Sequence, residues 1–126
     1  MPDGKRILVV DDDSAIRQII VHFLKDAGYQ AWGTGDARSA LALASEIMPE
    51  LAIFDVMMPE VDGFRLAEQF RATPSLAGVP FIFLTAQKAL PNIDRVMQVK
   101  AAGYIEKPFA REPLLAMVKD VLAPPA

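Results

Sequence analysis

The sequence predicts an α/β domain, a parallel sheet covered by helices on both faces. Three observations lead there. Short apolar runs alternate with segments of helical periodicity five times along the chain, which is the pattern of parallel strands joined by crossover helices. Four of those runs lead into chemically marked residues: Asp11-Asp12, Asp55, Thr85 and Lys107. The third observation is bulk. The chain has 126 residues, 52% of them hydrophobic; that is above the ordinary globular range, and a chain of this size buries roughly two-thirds of its unfolded surface. One domain is expected at this length, spanning 1–122, with a C-terminal tail at 123–126.

Taken in order, Ile7-Leu8-Val9-Val10 reads as a buried first strand that runs into Asp11, Asp12 and Asp13. A helix follows, with Ile16, Ile19, Ile20, Phe23, Leu24 and Ala27 at helical spacing. Asp13 or Ser14 caps its first turn, and Gly28 stops it. Residues 29–33 form a less apolar, edge-like second strand, and Thr34-Gly35-Asp36 a turn. The second helix, 37–48, carries Ala40, Leu41, Ala44 and Ile47 on one stripe and ends at Pro49. Leu51-Ala52-Ile53-Phe54 is the third strand and ends on Asp55; Val56-Met57-Met58-Pro59 then leads to a turn at Glu60-Val61-Asp62-Gly63. A short helix over 64–71 buries Leu66, Ala67 and Phe70 and closes at Thr73-Pro74-Ser75.

Pro80-Phe81-Ile82-Phe83-Leu84 is a fourth strand, ending at Thr85-Ala86. Ile93, Val96, Met97 and Lys100 lie on a fourth helix started near Pro91. Gly103-Tyr104-Ile105-Glu106 is a short fifth strand ending at Lys107-Pro108. The last helix, 111–122, turns Leu114, Leu115, Val118, Val121 and Leu122 inward, and Ala123-Pro124-Pro125-Ala126 cannot continue it. Right-handed crossovers restrict the topology to a few doubly wound orders.

Composition excludes several classes. The formal net charge is −3 and no basic stripe is present, so direct nucleic-acid binding by this chain is not expected. Without cysteine there is neither a disulfide framework nor thiol chemistry. The first apolar run stops at Val10, too short for a signal peptide or a membrane span, so no membrane association is expected and the default compartment is the cytoplasm.

All carboxyl ends of a parallel sheet lie on one edge, where open α/β folds place their ligand sites. Residues distant in sequence therefore converge there. Two acids about 4 Å apart repel by roughly 4 kcal/mol at an effective dielectric near 20, so Asp11, Asp12 and Asp55 gathered at one edge require a cation. Oxygen ligands without His or Cys select a hard ion, Mg2+ or Mn2+, and a few carboxylates with waters suit Mg2+. Lys107 adds a point positive charge on a flexible stem, and Thr85 a hydroxyl. Together these make a pocket for a phosphoryl group, with Asp55 as its acceptor.

Val10-Asp11-Asp12, Asp55-Val56-Met57-Met58-Pro59 with Asp62-Gly63, Thr85-Ala86, and Tyr104 with Lys107-Pro108-Phe109 stand in one order across nearly all of the chain. In this the chain resembles the receiver domains of two-component response regulators. The resemblance implies a five-stranded, flavodoxin-like sheet of order 2-1-3-4-5. It implies that Asp55 takes a phosphoryl group from a phosphohistidine of a histidine kinase or phosphotransfer protein. Asp12, Asp55 and the Met57 carbonyl would bind Mg2+ directly, with Asp11 acting mainly through a water. Lys107 would contact the acyl phosphate, Thr85 would move to it, and Tyr104 would turn inward. The outcome is a switched surface of the fourth helix, fifth strand and fifth helix, open to an unknown downstream protein target or to a phosphorylation-dependent homodimer. Such a domain is not an enzyme beyond assisting its own phosphorylation and dephosphorylation. The chain is expected to be either a stand-alone responder or a piece of a longer regulator.

Each residue also has an ordinary reading. Acids at 11–13 suit a helix N-terminus, and Asp13 is assigned that role. Thr85 alone is a turn residue, Lys107 alone a solvated lysine, and Tyr104 alone a core residue. His22 reads as solvated, Trp32 as packing. The pattern departs from the family at Ala37, at Lys100 and Gly103, and at Ala110, which replaces a capping residue. Two other functions fit parts of the sequence. A haloacid-dehalogenase-like phosphohydrolase would use Asp11 as nucleophile, with Asp13 completing its motif, but Ala15 departs from that pattern. A pseudo-receiver would keep the fold for binding alone. Met57 and Gln87, two residues past Asp55 and Thr85, flank the expected path of an attacking water. Met57 orients water poorly, so slow self-dephosphorylation is expected.

Overall fold

The structure is a computed structural model that describes residues 4–56, 63–85, 102–107 and 109–123, with Phe64 and Thr85 described by backbone only. Strands β1 (Arg6–Val10), β2 (Gln30–Thr34), β3 (Leu51–Asp55), β4 (Phe81–Thr85) and β5 (Gly103–Glu106) alternate with helices α1 (Ser14–Asp26), α2 (Ala37–Ile47) and α3 (Gly63–Ala72) and a C-terminal helix (Arg111–Leu122). All four strand pairs are parallel, in the order β2-β1-β3-β4-β5, as the resemblance implied. The expected fourth helix, with Pro91 and Lys100, lies outside the described residues. Among the described residues no helix is long and apolar enough to cross a membrane.

Alternation along the strands sorts the core into two layers. Ile7, Val9, Leu51, Ile53, Ile82 and Leu84 pack with Ile20 and Leu24 of α1 and with Leu114 and Val118 of the C-terminal helix. Leu8, Val10, Ala52, Phe54, Phe81 and Phe83 pack with Ala40 and Ala44 of α2 and with Leu66, Ala67 and Phe70 of α3. Because helices cover both faces, the central strands read as continuous apolar runs rather than as alternating ones. The α2–α3 layer is aromatic: Phe54 meets Phe81 at 5.1 Å and Phe70 at 5.2 Å between ring centroids. Arg71 lies 4.2 Å over the Phe81 ring and donates to the Ala77 and Val79 carbonyls, tying α3 to the entry of β4.

Local signals set the helix ends. Asp13 Oδ1 accepts from the Ala15 and Ile16 N–H groups at 2.9 and 3.1 Å. Asp36 Oδ1 accepts from Ser39 N–H at 2.8 Å. The C-terminal helix has Ala110 at its cap and no side-chain bond there, as expected. Gly28 takes φ 102°, and the Gly28 and Tyr29 N–H groups bond back to the Lys25 and Leu24 carbonyls. That closing turn uses Tyr29, so β2 begins at Gln30 and not at 29 as the sequence reading had it. The strand register corrects β4 likewise to Phe81–Thr85. Of the α1 residues at helical spacing, Ile19 is 48% exposed. It stands one residue, about 100° of helix, from Ile20, and the Ile20–Leu24 stripe is the one that meets the sheet.

Candidate functional site

The same alternation builds the carboxyl edge. Asp11 continues the parity of Ile7 and Val9, Asp55 that of Leu51 and Ile53, and Lys107 that of Ile105. All three therefore emerge toward the α1 layer. Val10 pairs with Phe54 in register, so one further step along each strand sets Asp11 beside Asp55.

Asp11 and Asp55 are the buried polar side chains among the described residues, at 0% and 4% exposure. Asp12 is exposed, yet one carboxylate oxygen from each of the three lies within 4.8 Å of the others. Lys107 reaches across them: its Nζ is 3.2 Å from Asp11 Oδ2 and 3.4 Å from Asp55 Oδ2. Partial burial pulls the Lys107 pKa down, and the neighbouring Asp55 and Asp11 carboxylates outweigh that, so it sits above the ordinary lysine value. The ammonium is charged throughout the neutral range. Asp11 Oδ1 accepts from Asp13 N–H at 2.9 Å, so both oxygens of Asp11 are engaged by the protein.

Beyond β3 the chain returns onto the site. Gly63 N–H donates to the Val56 carbonyl at 3.0 Å, and a Cβ on Gly63 would run into the Asp55 carbonyl oxygen. Glycine at 63 is therefore demanded by close approach. Thr85 ends β4 opposite Glu106, one step past the Leu84–Asp55 pair; its side chain lies outside the described residues. So do Met57, Pro59, Asp62 and Gln87. Tyr104 pairs with Phe83 in register and is 42% exposed. His22 is exposed and Trp32 packs against the α2–α3 layer, both as read from sequence.

Sequence reasoning assigned nothing to Arg17. Its Nη1 donates to the Asp11 carbonyl oxygen at 2.9 Å; its stem lies against Gly33 and its guanidinium against Gly35. The signal was available as two glycines flanking Thr34, opposite an arginine on the first helix.

The donor chemistry fits a hard cation. The cluster of Asp11, Asp12 and Asp55 offers oxygen only, with two buried carboxylates and one open to water, which suits an ion that keeps part of its hydration.

A family model for the response regulator receiver domain matches residues 7–119. The transcriptional regulatory protein GltR of Pseudomonas aeruginosa is 40% identical over 125 residues, covering 95% of this chain and 50% of that protein. The DNA-binding dual master transcriptional regulator RpaA of Synechocystis is 35% identical over 117 residues, covering 93% of this chain and 48% of that protein. The chain thus spans about half the length of the curated relatives it matches. Among solved structures, the chemotaxis protein CheY4 of Vibrio cholerae superposes with a TM-score of 0.88 at 35% identity, over 94% of this chain and 98% of that one. The sheet order, the acidic carboxyl edge and the match along most of its length agree: this chain belongs to the response regulator receiver domains.

Proposed function

We propose that Asp55 is the phosphoryl acceptor of a two-component phosphorelay, charged by a phosphohistidine on a histidine kinase or phosphotransfer protein in the cytoplasm. The observation that carries this reading is the buried Asp55 carboxylate, grouped within 4.8 Å of the Asp11 and Asp12 oxygens and faced by Lys107 at 3.4 Å. An Asp55 oxygen attacks phosphorus, the P–N bond breaks with its electron pair leaving on the imidazole, and an acyl phosphate remains. Lys107, already bridging Asp11 and Asp55, is placed to follow the charge onto the phosphoryl oxygens.

Asp12 and Asp55, with the Met57 carbonyl, are proposed to hold Mg2+ directly, and Asp11 through a water. Held there, the ion would supply charge neutralisation to the phosphoryl group. A phosphoryl group adds about −1.5 to −2 charge at this edge. Thr85 is proposed to move toward it, and Tyr104, exposed on β5, to turn inward, reshaping the surface offered to a protein target or a second copy.

The test is incubation with acetyl phosphate and Mg2+, followed by borohydride trapping and peptide mapping. Label on Asp55, lost in Asp55→Asn and in EDTA, is the expected result. Label on Asp11, or none anywhere, overturns it.

A further inference from the structure

Asp11 and Asp12 share one peptide unit, and that unit is gripped from outside its own loop. The peptide unit before it is held to β2, with Asp11 N–H donating to the Thr34 carbonyl at 3.1 Å. Arg17 Nη1 donates to the Asp11 carbonyl oxygen at 2.9 Å. Arg17 reaches that oxygen by lying along the end of β2, where two residues lack side chains. A Cβ on Gly33 would stand 2.8 Å from Arg17 Cγ, and one on Gly35 would stand 2.8 Å from Arg17 Nη1. Gly33 and Gly35 flank Thr34 and form the trough for the arginine.

From this geometry we propose that Arg17 is a positioning residue for the acidic edge, holding the Asp11–Asp12 peptide so that the Asp12 carboxylate is aimed at the metal position. The proposal rests on the receiver reading of the site. A peptide unit is planar, so holding its oxygen holds the plane from which the Asp12 N–Cα bond departs. Asp11 and Asp55 are immobilised by burial and by Lys107. Asp12 is exposed, so its direction is set through its backbone.

Electrostatics alone makes the opposite prediction. A guanidinium held at the Asp11 carbonyl adds positive charge near the acidic edge and opposes a second cation, and its removal would tighten Mg2+ binding. Positioning predicts that removal weakens binding, because outer groups that orient metal ligands typically carry a factor of ten or more in affinity. The two effects differ in sign.

The experiment is calorimetric titration of the full chain with Mg2+, with urea unfolding in EDTA as a control for folding. Arg17→Met is expected to weaken Mg2+ binding about tenfold. Gly35→Ala leaves every charge in place and displaces the guanidinium from the carbonyl, and it is expected to weaken binding in the same direction. Unchanged or tighter binding in Arg17→Met overturns the proposal, as does unchanged binding in Gly35→Ala. Should Arg17→Met fail to fold, Gly35→Ala decides alone. Variants that match a Mg2+-binding parent overturn only the role of Arg17. A parent chain that binds no Mg2+ overturns the Mg2+-dependent phosphoacceptor reading of the site and the Arg17 role together.

Discussion

Asp12 and Asp55 are both carboxylates at the end of apolar strands, yet their surroundings differ. Asp55 is 4% exposed and faces Lys107; Asp12 is open to water. On the proposed reading, burial would hold Asp55 still for chemistry, and exposure would leave Asp12 to share an ion with solvent. Crowding three acids within 4.8 Å costs stability in the absence of a cation, so removing one should help the metal-free chain. Asp12→Ala is expected to stabilise the protein in EDTA by about 1 kcal/mol, near the aqueous limit of Coulomb's law because Asp12 is exposed. The same variant should lose the stabilisation that Mg2+ confers on the parent, about 2.7 kcal/mol when the ion is a hundredfold above its Kd. Urea unfolding with and without Mg2+ checks both signs. The acids themselves were legible in the sequence because each interrupts an apolar run. Their unequal burial was not, because it depends on which side of the sheet edge each residue leaves.

At the scale of the element, the helix ends show what local chemistry decides. Asp13 makes two cap bonds and Asp36 one to a backbone N–H, and all these partners lie within three residues in sequence. Ala110 stands in the same position before the C-terminal helix and makes none. Ala110→Ser is therefore expected to raise stability by about 1 kcal/mol, seen as a higher urea midpoint with an unchanged slope. The other end of α2 is closed from a distance. Met48 adopts a left-handed φ of 51°, since the following Pro49 disfavours the helical region for it. Arg6 Nε, from β1, donates to the Ile47 and Met48 carbonyls at 2.8 and 3.1 Å. Pro49 announced the stop; nothing in the sequence announced Arg6, because that contact spans about forty residues.

For the whole molecule, Glu50 joins the first strand to the third. It accepts from Arg6 N–H at 3.1 Å and pairs with Lys5 at 3.4 Å. The Arg6 N–H bond is the main cause of its lowered pKa; burial works against it, and Lys5 and the Arg6 side chain add to the lowering. A carboxylate with a depressed folded pKa contributes stability above its unfolded pKa, and that contribution fades as pH falls through the folded value. Glu50→Gln is expected to cost about 0.5–1 kcal/mol at neutral pH, given a partly exposed pair. The gap between parent and variant should close as pH falls below the ordinary glutamate value of 4.5. Chemical unfolding at pH 7 and at stepwise lower pH measures it.

The sequence by itself determined the class of the fold, the number of the strands, and the acids at their ends. Those signals are local: apolar period, capping residues, Pro and Gly stops. It also carried the resemblance that implied the sheet order and the proposed acceptor, Asp55. Only the tertiary structure decided that Asp11, Asp55 and Lys107 leave the sheet on one side, that Lys107 bridges both acids, and that Arg17 grips the Asp11 carbonyl across the Gly33–Gly35 trough. Each of those facts follows from strand order and register. A shift of one residue in register would turn a strand's side chains to the other face. A chain read in one dimension shows which residues carry charge, while the sheet sets which charges meet.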